Sequence, residues 1–203
     1  MKTKTKTKRC LFLVSTGLFL GISVASAAPT LAPLPKMTEV GFWKLLGEKL
    51  TYIQEGRKGP VIYDFFDPNC PYCHTLYDEE QPLIRSGQLT VRYVPVAYLL
   101  PSSASEAAAI LQSPDQLLAL QHFESVVGKS FGKPLGPNGV PGLLQATVTP
   151  KTTEALKTNI GLLQSAGAMG LPAILYDQKN GKVGLVLGMI SREGLETMLP
   201  HLQ

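Results

Sequence analysis

The amino-acid sequence predicts an α/β fold with a block of helices between a βαβ half and a ββα half. Two short runs rich in β-branched and aromatic residues, 61–66 and 89–98, flank a helical stretch. This order is typical of two parallel strands joined by a helix. Two further β-rich runs follow near the end of the chain, with Asn180-Gly181 between them as a strong hairpin signal. The intervening residues, about 101–168, are largely rich in alanine and leucine and predict a helical insertion.

An amphipathic helix is predicted over residues 38–53, ahead of the first strand. Thr38 is a suitable N-cap, and apolar residues recur behind it at near-helical spacing, namely Val40, Trp43, Leu46 and Leu50. We expect this apolar stripe to pack on the core of the domain. The alternative is a pairing surface for a second copy, formed by Phe42, Trp43 and Leu46.

Turn residues bound the elements of the first half. Gly59-Pro60 precedes the strand at 61–66, and Asp67-Pro68-Asn69 is a turn after it. The next helix is predicted over residues 71–85, and Gly87 ends it. Asp67 is expected to be a turn residue.

The insertion and the second half are divided by a long loop. Residues 128–142 hold five glycines and three prolines, which predicts a loop. Helices are predicted over 102–111, 114–127 and 149–165. Strands at 173–176 and 183–187 and a final helix over 192–199 complete the predicted elements.

The first 27 residues have the three parts of a secretory signal peptide. A basic segment with five cations precedes an apolar stretch, and Ala25-Ser26-Ala27 is a small-residue cleavage pattern. We therefore predict cleavage after Ala27 and export to the periplasm. An uncleaved anchor is disfavoured because the apolar stretch is short and interrupted by glycine and serine.

The net charge changes sign when the signal is removed. The whole sequence has 19 Lys and Arg against 15 Asp and Glu, a net charge of +4. Without the five N-terminal cations the counts are 14 (19 minus 5) and 15, or −1. The basic balance is a targeting feature, and no nucleic-acid partner is expected.

Cys70-Pro71-Tyr72-Cys73 carries the chemistry that the sequence predicts. Cys10 precedes the apolar stretch and is expected to leave with the signal, so Cys70 and Cys73 are the thiols of the mature chain. A disulfide between cysteines so close in sequence restrains the unfolded chain little. A redox-active pair is therefore favoured over a structural disulfide, and metal binding is the alternative.

The start of a helix predicts different roles for the two thiols. Cys70 would lie by unpaired N–H groups and the positive end of the helix dipole, which favour the thiolate. Pro71 fits this placement because proline is well tolerated at the first helical position. Cys70 is the candidate nucleophile and is expected to be exposed, whereas Cys73 is the candidate resolving thiol and is expected to be protected. His74 is expected at the surface.

Four segments resemble the bacterial DsbC/DsbG thiol:disulfide interchange proteins, and DsbG most closely. They are FFDPNCPYC at 65–73, QPLIRSG at 81–87, AAAIL at 107–111 and GLPAILY at 170–176. The resemblance extends over about residues 42–200 and implies a thioredoxin-like fold with a helical insertion. It implies a division into a signal peptide (1–27), a leader and linker helix (28–58) and a thioredoxin-like domain (59–203).

The resemblance implies an exported thiol–disulfide oxidoreductase that reduces, isomerises or forms disulfides in periplasmic proteins. Its partners would be proteins with disulfides, thiols or sulfenic acids, together with a membrane redox partner that recycles the cysteine pair. No cofactor and no metal ion are expected. The direction of exchange depends on the redox potential of the pair, which the sequence does not give.

The resemblance also assigns residues around the cysteines. Pro172 is the implied cis-proline, and Leu171 stands where the family carries threonine. Leu171, Pro71 and Tyr72 are expected to contact the partner chain. Asp64 corresponds to a buried aspartate of thioredoxin and is the implied proton acceptor for the resolving thiol. The alternative for Asp64 is a place at the sheet edge or in solvent.

The chain departs from the family ahead of the cysteines. The family has an N-terminal dimerisation domain, for which residues 28–69 leave too little room, so a monomer is expected. A function of another class, a thioredoxin-like Cu(I) carrier, is the alternative because two thiolates can hold Cu(I). A further histidine or methionine ligand near the cysteines would favour that alternative.

Overall fold

The computed structural model describes residues 38–130 and 139–203. The predicted signal peptide, its cleavage site after Ala27 and most of the leader lie outside these ranges, as does part of the predicted loop, residues 131–138. What the sequence indicates for these residues stays a prediction.

The described chain forms a five-stranded sheet and six helices. The strands are β1 (Ile53–Glu55), β2 (Val61–Phe66), β3 (Thr90–Pro95), β4 (Ala173–Asp177) and β5 (Val183–Leu187). The helices are α1 (Glu39–Lys49), α2 (Pro71–Arg85), α3 (Ser103–Leu111), α4 (Gln116–Ser130), α5 (Pro150–Ser165) and α6 (Arg192–Met198), and a 3₁₀ turn, Leu199–His201, follows α6. Among the described helices, none has both the length and the apolar character needed to cross a membrane.

The sheet is mixed, with the strand order β1-β3-β2-β4-β5. β2 and β3 pair in parallel, and α2 connects them, so the predicted βαβ unit is confirmed. The other pairs are antiparallel. β4 and β5 form the predicted hairpin, in which Gly181 has a φ of +77° and donates its N–H to the carbonyl of Gln178 at 2.8 Å. A left-handed backbone of this kind favours glycine at the turn.

Side chains of β2 alternate between the two faces of the sheet. Ile62 and Phe66 belong to an apolar cluster shared with α2, α3, α4 and α6. Tyr63 and Phe65 belong to a second cluster, shared with α1 and α5. Helices thus cover both faces, and the alternation places Asp64 on the face that carries α2.

The helical insertion contributes to both clusters. α4 places Leu120, Phe123 and Val127 in the first cluster, and α5 places Leu162 and Leu163 in the second. Fully burying one such side chain stabilises a fold by about 1.5–3 kcal/mol. The insertion is therefore part of the core of the domain.

The apolar stripe of α1 packs on the domain, as expected. Thr38 caps the helix, since its Oγ1 accepts a hydrogen bond from the N–H of Gly41 at 3.1 Å. Leu46 is fully buried, and the Trp43 ring packs edge-on against Tyr63 with the ring centroids 5.0 Å apart.

The helix predicted over residues 38–53 is too long. It ends at Lys49, and Ile53–Glu55 forms β1, an edge strand antiparallel to β3. Apolar spacing did not reveal this boundary, because the buried side chains of Leu50 and Ile53 continue the helical stripe into the strand.

The helix predicted over residues 114–127 differs from α4 at both ends, since α4 begins at Gln116. α4 runs through Gly128 to Ser130, into the stretch predicted as a loop. The strand predicted at 89–98 is shorter and spans Thr90–Pro95.

Candidate active site

The N-terminus of α2 holds the two cysteines. Cys70 is the N-cap and Pro71 follows as the first helical residue, and the Cys70 Sγ accepts a hydrogen bond from the N–H of Cys73 at 3.2 Å. The two cysteines form a disulfide, with their Cα atoms 5.2 Å apart. The expected position of the pair at a helix start is therefore confirmed.

Both cysteines are buried in this disulfide state. The exposed fraction is 4% for Cys70 and 2% for Cys73. The expectation that Cys70 is exposed is wrong here, because Cys70 lies in the same apolar cluster as Cys73. The two sulfurs differ instead in their position on the helix, since the N-cap lies by N–H groups that lack intrahelical partners.

A buried carboxylate anchors the turn that precedes the cysteines. The Asp67 Oδ2 atom accepts hydrogen bonds from the N–H groups of Tyr98 at 2.8 Å and Leu99 at 3.0 Å. Its Oδ1 atom accepts from the N–H of Asn69 at 2.9 Å and from the hydroxyl of Ser103 at 2.7 Å. Asp67 thus ties the turn to the loop after β3 and to α3, a role that its reading as a turn residue did not include.

Asn69, the residue before Cys70, connects the turn to the helical insertion. Its Nδ2 group donates to the carboxyl group of Glu106, and its Oδ1 atom accepts from the N–H of Val140 at 3.1 Å. Gly139 has a φ of +81°, and a Cβ atom there would overlap the Asn69 Oδ1 atom. The insertion therefore holds the residue that precedes the candidate nucleophile, and nothing in the sequence pattern indicated this contact.

The loop before β4 brings Pro172 to the end of β2. The Leu171–Pro172 peptide bond is cis, as the resemblance implies. Ala173 lies opposite Phe65 in the antiparallel register, so the next position of the register sets Pro172 beside Phe66, where the chain turns toward the cysteines. Leu171 is half-buried and packs against the cluster that contains the cysteines.

Asp64 is fully buried on the sheet face that α2 covers. Neither of its carboxyl oxygens has a hydrogen-bond partner among the described residues. Burial raises the pKa of Asp64 well above its ordinary value of 3.8, and the charge of Glu124 raises it further. The expected burial is confirmed, and the alternative of a solvent or edge position is excluded.

Sequence reasoning missed a second buried carboxyl group, on Glu80. Its side chain is fully buried on α2, and burial, followed by the charge of Asp64, raises its pKa well above the ordinary value. The Tyr93 hydroxyl is near enough to oppose this rise in the pKa, but the two groups do not meet the distance and angle of a hydrogen bond. A signal was present, because Glu80 follows Cys73 by seven residues and so lies on the same face of the helix.

His74 is buried, which corrects the expected surface position. Its Nδ1 atom lies 2.9 Å from the carboxylate of Glu124, and its Nε2 atom lies 3.4 Å from that of Asp78. The hydrogen bond to Glu124 raises the pKa of His74, and burial opposes this rise. The expectation failed because α4 packs against α2 here, with the imidazole beside Gly128, where a Cβ atom would lie 2.7 Å from Nε2.

Exposed apolar side chains border the active-site loops. Tyr72, between the cysteines, is 63% exposed, and Met169, two residues before Leu171, is 74% exposed. The Tyr98 hydroxyl lies 3.5 Å from the carbonyl of Met169. Tyr98 and Met169 also line a pocket of about 240 Å³, together with Ile160, Leu163, Gln164 and Ala168.

A metal centre has no support from the described side chains. In residues 38–130 and 139–203, no group of three or more His, Cys, Asp or Glu side chains is placed to hold a metal ion. The Cu(I) alternative therefore gains nothing from this part of the chain.

Comparison with known proteins agrees with the fold. Residues 46–203 match the thioredoxin-like domain family. The thiol:disulfide interchange protein DsbG of Pseudomonas aeruginosa is 31% identical over 154 residues, and DsbG of Escherichia coli K12 is 32% identical over 154 residues. These alignments cover 75% of this chain but 54% and 58% of the two relatives, so the chain spans little more than half of their length.

A solved structure shares the architecture. A periplasmic thioredoxin-like protein from Salmonella enterica serovar Typhimurium matches with a TM-score of 0.56 and 22% sequence identity, over 77% of this chain and 94% of that chain. The predicted thioredoxin-like fold is confirmed, and α3, α4 and α5 form the insertion between its two halves.

Proposed function

Since the chain belongs to the thioredoxin-like domain family, we propose that it catalyses thiol–disulfide exchange, with Cys70 as nucleophile and Cys73 as resolving thiol. The observation that carries the proposal is the disulfide between these cysteines at the N-terminus of α2. The identity to DsbG thiol:disulfide interchange proteins supports the same activity.

Cys70 is the better thiolate of the two. Its sulfur accepts a hydrogen bond from the N–H of Cys73 at 3.2 Å and lies at the positive end of a 15-residue helix. The hydrogen bond and the helix dipole both favour the thiolate. In the reduced protein the Cys70 thiolate attacks a disulfide of the partner. A bond forms between Cys70 Sγ and one partner sulfur, and the other partner sulfur leaves as a thiolate.

Cys73 completes the reaction. It loses its proton and attacks Cys70 Sγ, so that the Cys70–Cys73 bond forms and the partner leaves as a thiolate. Asp64 is the proposed proton acceptor, because a buried carboxylate with a raised pKa is a stronger base than an exposed one. The same steps in reverse oxidise a dithiol of the partner.

Residues at the rim of the site are proposed to bind the partner chain. Tyr72 supplies an exposed ring next to the cysteines, with Pro71 before it. Leu171 and the cis-proline Pro172 lie on the other side, at the end of β2. The proposed substrates are proteins with disulfides, thiols or sulfenic acids.

The proposed setting is the periplasm. Residues 1–27 would direct export and be removed, and a membrane redox partner would recycle the cysteine pair. A monomer is proposed because Leu46 and Trp43 of α1 pack on their own domain. Light scattering at micromolar concentration would give the mass, and a stable dimer would contradict this part of the proposal.

Single-cysteine variants test the exchange. The reduced Cys73→Ala protein should accumulate mixed disulfides with a disulfide-bearing substrate, because nothing resolves them, and the Cys70→Ala protein should not. Trapping by Cys70→Ala, or none by Cys73→Ala, would refute the assigned roles.

A redox titration separates the exchange from copper binding. The Cys70–Cys73 pair is equilibrated with glutathione, with and without Cu(I). A defined equilibrium that Cu(I) leaves unchanged supports the exchange, whereas stoichiometric Cu(I) binding with no turnover of substrate disulfides would favour the carrier.

A further inference from the structure

α2 has a glutamate on the face that packs against the sheet. Glu80 continues the buried stripe of Cys73, Leu76 and Tyr77 at helical spacing. Its side chain is 0% exposed, and neither carboxyl oxygen has a hydrogen-bond partner among the described residues. Since an unpartnered polar group in apolar surroundings costs folding free energy, stability does not account for this residue.

β2, the strand that faces this side of α2, carries Asp64, a second buried carboxyl group without a hydrogen-bond partner among the described residues. Asp64 points with Ile62 and Phe66 toward α2, and it lies in register with Tyr93 of β3 and Ile174 of β4. All of these side chains are buried, and both oxygens of Asp64 lack a partner among the described residues. Two carboxyl groups therefore occupy the same layer between α2 and the sheet.

We propose that Glu80 and Asp64 form a buried acid pair that holds one proton and one negative charge at neutral pH, with the proton on Glu80. Glu80 is then a positioning residue, because by keeping its proton it leaves the single charge of the pair on Asp64. Its role in the reaction rests on the proposed exchange function, whereas the existence of the pair does not.

The physical reason for a single charge is that two like charges repel strongly where water does not screen them. We assign the charge to Asp64 because an aspartate side chain is intrinsically a stronger acid than a glutamate. Burial, and then the charge of Asp64, raise the pKa of Glu80. Among the other titratable groups around the pair, the charges of Glu55 on β1 and Glu124 on α4 raise the pKa of Glu80 further, whereas the Tyr93 hydroxyl lowers it. Tyr77 of α2 interacts with Tyr93, and His74 is the partner of Glu124.

The pair bears on the step in which Cys73 resolves the mixed disulfide. The S–H bond of Cys73 breaks, and the proton passes to the Asp64 carboxylate. The Cys73 sulfur bonds to Cys70 Sγ while the bond to the partner breaks, and the departing thiolate takes a proton from solvent. Were Glu80 also charged, its field would disfavour the Cys73 thiolate and slow this step.

An infrared titration of the disulfide form tests the pair without any activity. The wild type should show the carbonyl band of a protonated carboxyl group at neutral pH and lose it only in the alkaline range. Glu80→Gln should lack the band at neutral pH. In Asp64→Asn the band should disappear at a lower pH than in the wild type, because the charge that raises the pKa of Glu80 is gone.

The control for this titration is Glu55→Gln. Glu55 is buried on the same sheet face, but its oxygens accept hydrogen bonds from Gln81 at 3.0 Å and Gln121 at 2.8 Å. The band should persist in this variant. A band that persists unchanged in Glu80→Gln, or that keeps its midpoint in Asp64→Asn, would overturn the acid pair. Circular dichroism confirms that each variant is folded.

A stopped-flow measurement of resolution against pH tests the role in the reaction. The ratio of the Glu80→Gln rate to the wild-type rate should be near one at neutral pH. It should rise above one over the alkaline range in which the wild type loses the infrared band. A ratio that stays at one through that range would overturn the positioning role. A wild type that exchanges no disulfides would refute the proposed function, while the infrared titration would still decide whether the pair exists.

Discussion

Replacing Asp64 with asparagine should stabilise the folded protein, by an amount that grows as the pH rises. The carboxyl group is fully buried and lacks a hydrogen-bond partner among the described residues. In the unfolded chain it ionises near its ordinary pKa of 3.8, whereas burial raises its pKa in the folded protein. A group whose folded pKa is raised keeps a proton that the unfolded state releases, so it costs stability as the pH increases above the unfolded value.

The magnitude follows from this one proton. Between the unfolded pKa of Asp64 and its raised folded pKa, the unfolded chain has lost the proton and the folded chain has not. Over that interval each pH unit lowers the free energy of unfolding by about 1.4 kcal/mol. Asparagine has no such proton. The difference in free energy between Asp64→Asn and the wild type should therefore widen by about 1.4 kcal/mol per pH unit, until Asp64 ionises in the folded protein. Even one pH unit is a measurable part of a stability of about 5–15 kcal/mol.

Urea unfolding of the disulfide form, followed by far-ultraviolet circular dichroism at several pH values, measures this difference. Glu48→Gln on α1 is the control, because its side chain is 56% exposed, and its difference from the wild type should not widen in this way. A constant difference for Asp64→Asn across the pH range, or a loss of stability, would refute the reasoning. Either result would mean that the folded protein already accommodates the charged carboxylate.

Three further substitutions probe the packing and charge of the described chain. Gly184→Ala should lower the melting temperature, because a Cβ atom there would overlap the Tyr176 ring. The control is Gly161→Ala, which should not lower it, because a Cβ atom at Gly161 has nothing within 4 Å. Equal melting temperatures for the two variants would contradict the packing. Asn69→Ala should lower the free energy of unfolding by about 1–3 kcal/mol by leaving buried groups unpaired, and it should slow exchange; an unchanged urea midpoint would argue against this. His74→Gln should remove a stabilising contribution that is complete below a pH of 6.5 and is lost as the pH rises through the raised folded pKa of His74. A pH series of urea midpoints tests it, and a loss that is the same at every pH would count against it.

The elements bounded by local signals were predictable from the sequence. β2 and α2 have their predicted bounds, Val61–Phe66 and Pro71–Arg85, because turn residues and a helix-start proline mark them within a few positions. β1 was not predictable in this way. Its three residues are a strand only because they pair with β3, about forty residues later in the chain.

The residues of the site also fall into those that local sequence or the resemblance predicted and those that depend on distant contacts. The position of Cys70 at a helix start follows from neighbouring residues, and the burial of Asp64 and the cis bond before Pro172 followed from the resemblance. The contacts of Asn69 and His74 did not follow from either. Both depend on partners in the insertion, Glu106 and Glu124, which are distant in sequence and have no characteristic spacing.

The insertion therefore acts on the chemistry of the site as well as on the core. After burial, the next cause of the raised pKa of Asp64 is the charge of Glu124 on α4. The same carboxylate raises the pKa of His74, the residue that follows Cys73. One residue of the insertion, Glu124, thus raises the pKa values of Asp64 on β2 and His74 on α2. Removing the charge of Glu124 should therefore lower the pH at which Asp64 ionises.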